Sequence, residues 1–401
     1  MCASVTDGVE KNCNTVAVIG AGIAGIHVAS ALAMQGWRVT LIDSAPDICS
    51  GASGNPAGAF HAHVSRDDAP MSRLSRYGIE ATLSSLEQLT HAGLLTCGED
   101  WACDGHVQIC DSDEDEIRTR ETFERLTHLH SVMQWKEAAA IAQDLGITPL
   151  RGGLFFRRAG WVKPVAWCKA LLSSSKVELR MGMQVTSIRL VPDGACEVLT
   201  ATTEAVETMR YDRVVIAAAR HSLELFAQPA VQSRSVKGQV SLVKAPARLR
   251  RVVSGAAYAI EPEPATWLIG ATYERPALDS EVSEMAHQQN MQRLQSAFAG
   301  IPPLEVTGGR SAIRTMWPDR LPAVGPAIDD RGNPLVSIWF ATGFGSRGLT
   351  WAALTADIIS AWWAGRCPPL PQDLLAAVLP GRFFSRASNS KPTLPSLPKT
   401  R

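Results

Sequence analysis

Gly20-Ala21-Gly22-Ile23-Ala24-Gly25 has the G-x-G-x-x-G spacing that lets a backbone lie against a pyrophosphate. Gly20 permits the tight turn, Gly22 the close approach of a phosphate, and Gly25 close packing of the following helix on the strand before it. That helix would offer free N–H groups and a positive dipole end to the phosphates. Asp43, eighteen residues past Gly25, can accept both hydroxyls of an adenosine ribose. These residues predict dinucleotide binding, a requirement that NAD and FAD satisfy equally.

Two further segments favour FAD. Residues 51–59, with Ser53, Gly58 and Ala59 among them, are small enough for the backbone to lie against a large flat ligand. Gly343, Gly345, Ser346, Arg347, Gly348 and Leu349 lead into a long helix, and so provide a second helix N-terminus for an electron-rich, partly anionic group. Arg347 could hold a flavin oxygen or a phosphate, or be a solvated surface cation. His61 and His63, two apart, would share one face of a strand and could line the pocket; a core or surface role is the alternative. No metal site is expected. The acidic run 111–116 lacks the glycine and distal glutamate of a calcium loop and reads as a solvated loop.

A βαβ unit has to carry the first motif, with strands at 16–19 and 37–43 and a helix at 25–34 stopped by Gly36. Amphipathic patterns predict helices at 71–92 and 120–145, each followed by glycine. Short β runs at 177–181, 184–191, 196–201 and 213–218 would rejoin the nucleotide domain. A β-rich region at 236–271, a helix near 281–298 and a strand near 311–316 form the candidate substrate domain. A strand at 335–341 and a helix at 349–364 return the chain to the first domain. The expected class is α/β, a Rossmann-type FAD-binding domain with a β-rich α+β substrate domain. The FAD-binding parts span 14–95, 160–220 and 335–380, the substrate domain 221–334, a mixed helical segment 96–159, and a disordered, basic Ser/Pro-rich tail 381–401.

The 401 residues include 46% hydrophobic and 19% charged side chains, which fits a two-domain globular protein. With 39 basic and 39 acidic residues the net charge is zero, so composition alone gives no case for nucleic acid or an anionic membrane. Charge can still be local: Arg248, Arg250 and Arg251 cluster, and Arg310, Arg314 and Arg320 surround one candidate substrate segment. Nine scattered cysteines without a CxxC pair suit a reduced, cytoplasmic setting. Residues 1–14 contain no apolar signal core, and the apolar stretch 16–34 is broken by Gly20, Gly22 and Gly25, so neither a secretory signal nor a membrane span is expected.

Beyond the glycine motifs the chain carries Gly160-Trp161-Val162-Lys163-Pro164, Lys237-Gly238-Gln239-Val240 and Arg314-Thr315-Met316-Trp317-Pro318-Asp319-Arg320-Leu321-Pro322, followed by Gly325. Together these segments resemble the D-amino-acid oxidase and glycine oxidase superfamily of flavoenzymes over nearly the whole chain. Within it, GASGNPAGAF at 51–60 and GFGSRGL at 343–349 are most similar to the FAD-dependent domain of the bacterial bifunctional enzymes that make 5-methylaminomethyl-2-thiouridine in tRNA. The resemblance implies FAD as cofactor, tRNA as substrate, and oxidation of the carboxymethylamino C–N bond on the wobble uridine to leave the aminomethyl form. It also implies that Arg314, five residues before Asp319, binds the substrate carboxylate, with an ion pair to Asp319 itself as the alternative. His61 is the other candidate catalytic residue. In most members of that group the resemblance implies a methyltransferase domain fused ahead of this one. A motif that starts at Gly20 leaves that step to a separate methyltransferase. Phe60-His61-Ala62-His63 departs from the bulky apolar and tyrosine residues of the best-known members. The alternative function is a free amino-acid oxidase or dehydrogenase acting on glycine, sarcosine or a D-amino acid.

Overall fold

A computed structural model of the chain describes residues 14–226, 233–275, 277 and 279–383. Thr15–Ile19 and Arg38–Ile42 are adjacent parallel strands joined by the helix Ile23–Met34. The first strand is apolar on both sides because both sides are covered. Val16 and Val18 pack with the helices Ile23–Met34 and Gly348–Trp363, while Ala17 and Ile19 pack against a three-stranded sheet of Gln184–Leu190, Cys196–Ala201 and Val206–Tyr211.

The nucleotide sheet has six strands in the order Ala323–Ile328, Pro334–Thr342, Arg213–Ile216, Thr15–Ile19, Arg38–Ile42 and Val177–Arg180. All pairings are parallel except the first, which is antiparallel. The strand order reverses at Thr15–Ile19, the kind of switch point where open α/β sheets bind ligands beyond their carboxyl ends. Ala323–Ile328 belongs to this sheet, so the substrate part ends earlier than residue 334.

The second sheet has eight strands: Val306–Met316, Arg234–Lys244, Thr266–Gly270, Tyr258–Glu263, Val252–Gly255, His106–Ile109, Gly153–Phe156 and Met133–Lys136. Three of them come from 96–159, the segment expected to be a mixed helical one. The helix expected at 120–145 is in fact the helix Asp113–Arg125, the strand Met133–Lys136 and the helix Ala138–Leu145. Leu126, Leu129 and Met133 sit at helical spacing and share one core cluster, but the last pairs with Gly153–Phe156 as an edge strand. Tertiary pairing overrides the periodicity there.

The acidic run is also corrected. Ser112 caps the helix Asp113–Arg125 by accepting from the Asp115 N–H at 3.1 Å, and four carboxylates fill its first turn, where the helix dipole favours them. The tail begins later than expected: Arg382 is buried and its guanidinium donates to Asp319 at 2.9 Å, while residues 384–401 lie outside the described residues. Among the described residues no helix is long and apolar enough to cross a membrane.

Candidate active site

The strands Thr15–Ile19, Arg38–Ile42, Arg213–Ile216 and Pro334–Thr342 all deliver their carboxyl ends to one cavity of about 950 Å³, whose other wall is the eight-stranded sheet. Gly20, Gly22, Asp43, Ser53, Gly58, Ala59, His61, Arg314 and residues 343–349 line it together. Gly25 does not; it acts from behind. A Cβ there would run into the Gly20 carbonyl, and at Gly20, where φ is +109°, a Cβ would lie 2.6 Å from the Ala217 carbonyl oxygen. These two glycines let strand, turn and helix close on each other.

Asp43 is fixed by backbone donors, Ala21 N–H to Oδ2 at 2.6 Å and Ala45 N–H to Oδ1 at 2.8 Å, and each oxygen keeps a lone pair for a hydroxyl. Ser53 Oγ accepts from the Ile23 N–H at 3.0 Å, which ties the small-residue loop to the helix start. From the opposite sheet, Arg310 donates to the carbonyls of Ser50 (2.9 Å) and Gly51 and to Asn55 Oδ1 (3.1 Å). Arg310 is therefore a strap on this loop and not part of an exposed basic track. Arg251 is likewise engaged, on the Asp104 carbonyl and Asp144. Of the expected basic positions, Arg248, Arg250 and Arg320 are exposed.

At the second glycine segment the Gly345 N–H donates to the Thr315 carbonyl at 2.9 Å, and a Cβ on Gly58 would come within 2.6 Å of Leu349 Cδ1. Arg347 precedes the helix Gly348–Trp363, is half-buried, and reaches His63 Nδ1 at 3.4 Å. Among the described residues no carboxylate lies within ion-pair distance of it. Two helix starts, an uncompensated guanidinium and a glycine cradle in one cavity fit an extended dianionic dinucleotide with a flat ring system, and so fit FAD.

Arg314 lies on Val306–Met316 opposite Val236. Its Nη2 donates to the Thr272 carbonyl at 3.2 Å and its guanidinium stands 4.7 Å from the centroid of the Tyr273 ring. The alternative partner, Asp319, is held by Arg382 instead. Two contributors were not anticipated. A Cβ on Gly238, on the neighbouring strand, would overlap the Arg314 guanidinium, so glycine is required there for the side chain to lie flat. A glycine inside a strand pattern is the usual signal of such close approach. Tyr258 is the other: its hydroxyl oxygen accepts from the Ala59 N–H at 3.1 Å, and burial pushes its pKa up to about 12, so it keeps its proton. Nothing local in the sequence marks Tyr258, since it reaches Ala59 only through the packing of two separate sheets. We expect Gly238→Ala to lower kcat/KM about 10²-fold by displacing the guanidinium roughly an ångström, with FAD content unchanged. Steady-state kinetics beside flavin absorbance checks both.

The strand Gly58–Phe60 ends before His61, so His61 and His63 do not share a strand face as expected. His61 Nδ1 bonds the Ala62 carbonyl at 2.9 Å, which makes it the protonated nitrogen and leaves Nε2 as an acceptor. Its ring lies 4.1 Å from that of His106, whose Nε2 bonds Ser254 Oγ at 2.6 Å. Burial lowers His61 and His63 to about 4 and His106 well below its usual value. The unfolded chain takes up these protons near pH 6.5 and the folded chain does not, so stability is present above 6.5 and declines as pH falls toward 4. A thermal midpoint that stays flat from pH 7 to 4.5 would contradict this protonation state.

Comparison with known proteins agrees with the geometry. A family described as FAD dependent oxidoreductase matches residues 15–362. The tRNA 5-methylaminomethyl-2-thiouridine biosynthesis bifunctional protein of Burkholderia vietnamiensis (strain G4 / LMG 22486) is 34% identical over 394 residues, covering 92% of this chain and 59% of its own length. Its namesake in Paraburkholderia phytofirmans (strain DSM 17436 / LMG 22146 / PsJN) is 34% identical over 401 residues, covering 92% and 60%. The chain thus spans about 60% of the length of these curated relatives. Among solved structures, glycine oxidase from Geobacillus kaustophilus superposes with a TM-score of 0.79 at 20% identity, covering 91% of this chain and 98% of that one. L-proline dehydrogenase from P. horikoshii gives 0.75 at 16% identity, covering 93% and 98%. The structural likeness shows the fold, and the family match extends over most of the chain. The chain belongs to the FAD-dependent oxidoreductase family and uses FAD as its cofactor.

Proposed function

We propose that the protein oxidises the carboxymethylamino C–N bond of a modified wobble uridine in tRNA, leaving the aminomethyl group and releasing the two-carbon acid. The observation that carries the carboxylate part is Arg314, a guanidinium in the cavity wall with no carboxylate partner among the described residues and the Tyr258 hydroxyl in the same cavity. The tRNA part is supported by the names of the relatives.

Gly20, Gly22, Asp43, Ser53, Gly58, Ala59 and residues 343–349 hold FAD, which when bound accepts the hydride from the carbon between amine and carboxylate. Arg314 binds the carboxylate as a bidentate fork, and Tyr258, whose oxygen already accepts from Ala59, donates its own proton to the same group. His61 presents an unprotonated Nε2 and accepts the amine N–H. The guanidinium groups of Arg314 and Arg347 disfavour a nearby ammonium, which keeps the amine lone pair available. Water then hydrolyses the C=N product to the primary amine and the aldehyde acid. The methyl transfer in the relatives' product name is a further step on the same group, and the oxidation is placed in the cytoplasm.

The test supplies tRNA bearing the carboxymethylaminomethyl group and analyses its nucleosides for the aminomethyl product. Because the expected substrate is polyanionic, turnover should fall steeply with salt. The fold likeness to glycine oxidase favours free glycine, sarcosine or a D-amino acid as the second reading. Unchanged tRNA together with bleaching of the flavin by one of these would establish it.

A further inference from the structure

Tyr273 stands at the rim of the cavity and, at 57%, is the most exposed of the described Phe, Trp and Tyr side chains. A single exposed ring is common on protein surfaces. This one is placed by the carboxylate site, since the Arg314 guanidinium lies over the ring, 4.7 Å from its centroid. Arg293, on the helix Glu284–Ala297, also lines the rim and is exposed. Its Nη1 is anchored on the Ala271 carbonyl at 2.9 Å, and no described carboxylate lies within ion-pair distance of it.

We propose that Tyr273 is the stacking platform for the pyrimidine base that carries the reacting side chain, and that Arg293 takes a phosphate of the same nucleotide. This rests on the tRNA reading above. In a carboxymethylaminomethyl group four bonds separate the carboxyl carbon from the base, roughly 5 Å when extended. A carboxylate seated on Arg314 therefore brings its base alongside Tyr273. An aromatic ring with a neighbouring guanidinium is the usual means of holding an unpaired base and its backbone. Other charges on this rim fix the direction of approach. Lys237 pairs with Asp279 (2.7 Å) and Glu274 (3.8 Å), Glu281 is exposed, and the Asp111 carboxyl feels the Arg293 charge without pairing with it, so Arg293 is the cation left on this side for a phosphate.

The experiment compares three substrates of the FAD-loaded enzyme that share the reacting group: N-propylglycine, 5-carboxymethylaminomethyluridine and its 3′,5′-bisphosphate. In the wild type kcat/KM should rise at least tenfold at each addition. Tyr273→Leu should bring the nucleoside's advantage over N-propylglycine to within about twofold, mainly through KM, and Tyr273→Phe should restore it. Arg293→Gln should remove the advantage of the bisphosphate over the nucleoside. A wild-type ratio of nucleoside to N-propylglycine in Tyr273→Leu overturns the stacking assignment while leaving the tRNA substrate standing. A wild-type enzyme that turns over N-propylglycine but neither nucleoside nor tRNA overturns both.

Discussion

Arg314→Ala is expected to purify with full FAD and to lose kcat/KM by on the order of 10²- to 10³-fold, about 2.7–4 kcal/mol. The size follows from what the cavity offers a carboxylate. Arg314 is the cation on the wall next to Tyr258, and removing it takes the ionic partner from a substrate carboxylate and leaves the tyrosine hydroxyl as its neighbour on that wall. Arg314→Lys should recover part of the loss, because charge returns but the planar fork that pairs with both carboxylate oxygens does not. FAD content is the internal control, since the glycine cradle and Asp43 are built by other segments. Kinetics unchanged in Arg314→Ala would move the carboxylate site elsewhere.

Residues that do their work within a short stretch were legible in the sequence. The turn at Gly20, the acid at Asp43 and the second helix start at Gly348 each declare themselves by spacing against a strand or helix signal, and each stands where that signal puts it. What depends on contacts between distant segments was not legible. Tyr258 reaches Ala59 across 199 residues, and Arg310 reaches the loop at Ser50 across 260. Arg310 shows why composition misleads: in the chain it looks like part of a basic patch, yet its guanidinium is turned inward onto carbonyls. Periodicity failed for the same reason at Met133, where a helical pattern was taken over by an edge strand. Gly238 lay between these cases. Its motif could be quoted, but its reason appears only once Arg314 is seen lying across it.

Gly22→Val should give a folded protein without flavin, and the contrast among the three motif glycines explains why. At Gly20 and Gly25 an added Cβ meets backbone carbonyl oxygens, so substitution there strikes the turn itself. At Gly22 the backbone is extended, with φ −81° and ψ 179°, a conformation that valine adopts readily, and the nearest obstacle is Ser53 Oγ at 3.2 Å. That hydroxyl can give way by a few tenths of an ångström. The fold then loses about 1 kcal/mol at most, chiefly because valine is a poorer helix cap than glycine. The same side chain stands at the helix start where the pyrophosphate has to approach the backbone, so FAD affinity should fall by at least about 10²-fold. Flavin absorbance of the purified variant reads the affinity, and the thermal midpoint compared with that of flavin-stripped wild type reads the fold. Comparable midpoints with no yellow colour are the expected result. Stoichiometric FAD in Gly22→Val would remove the pyrophosphate from this turn, and with it the assignment of Asp43 to the ribose.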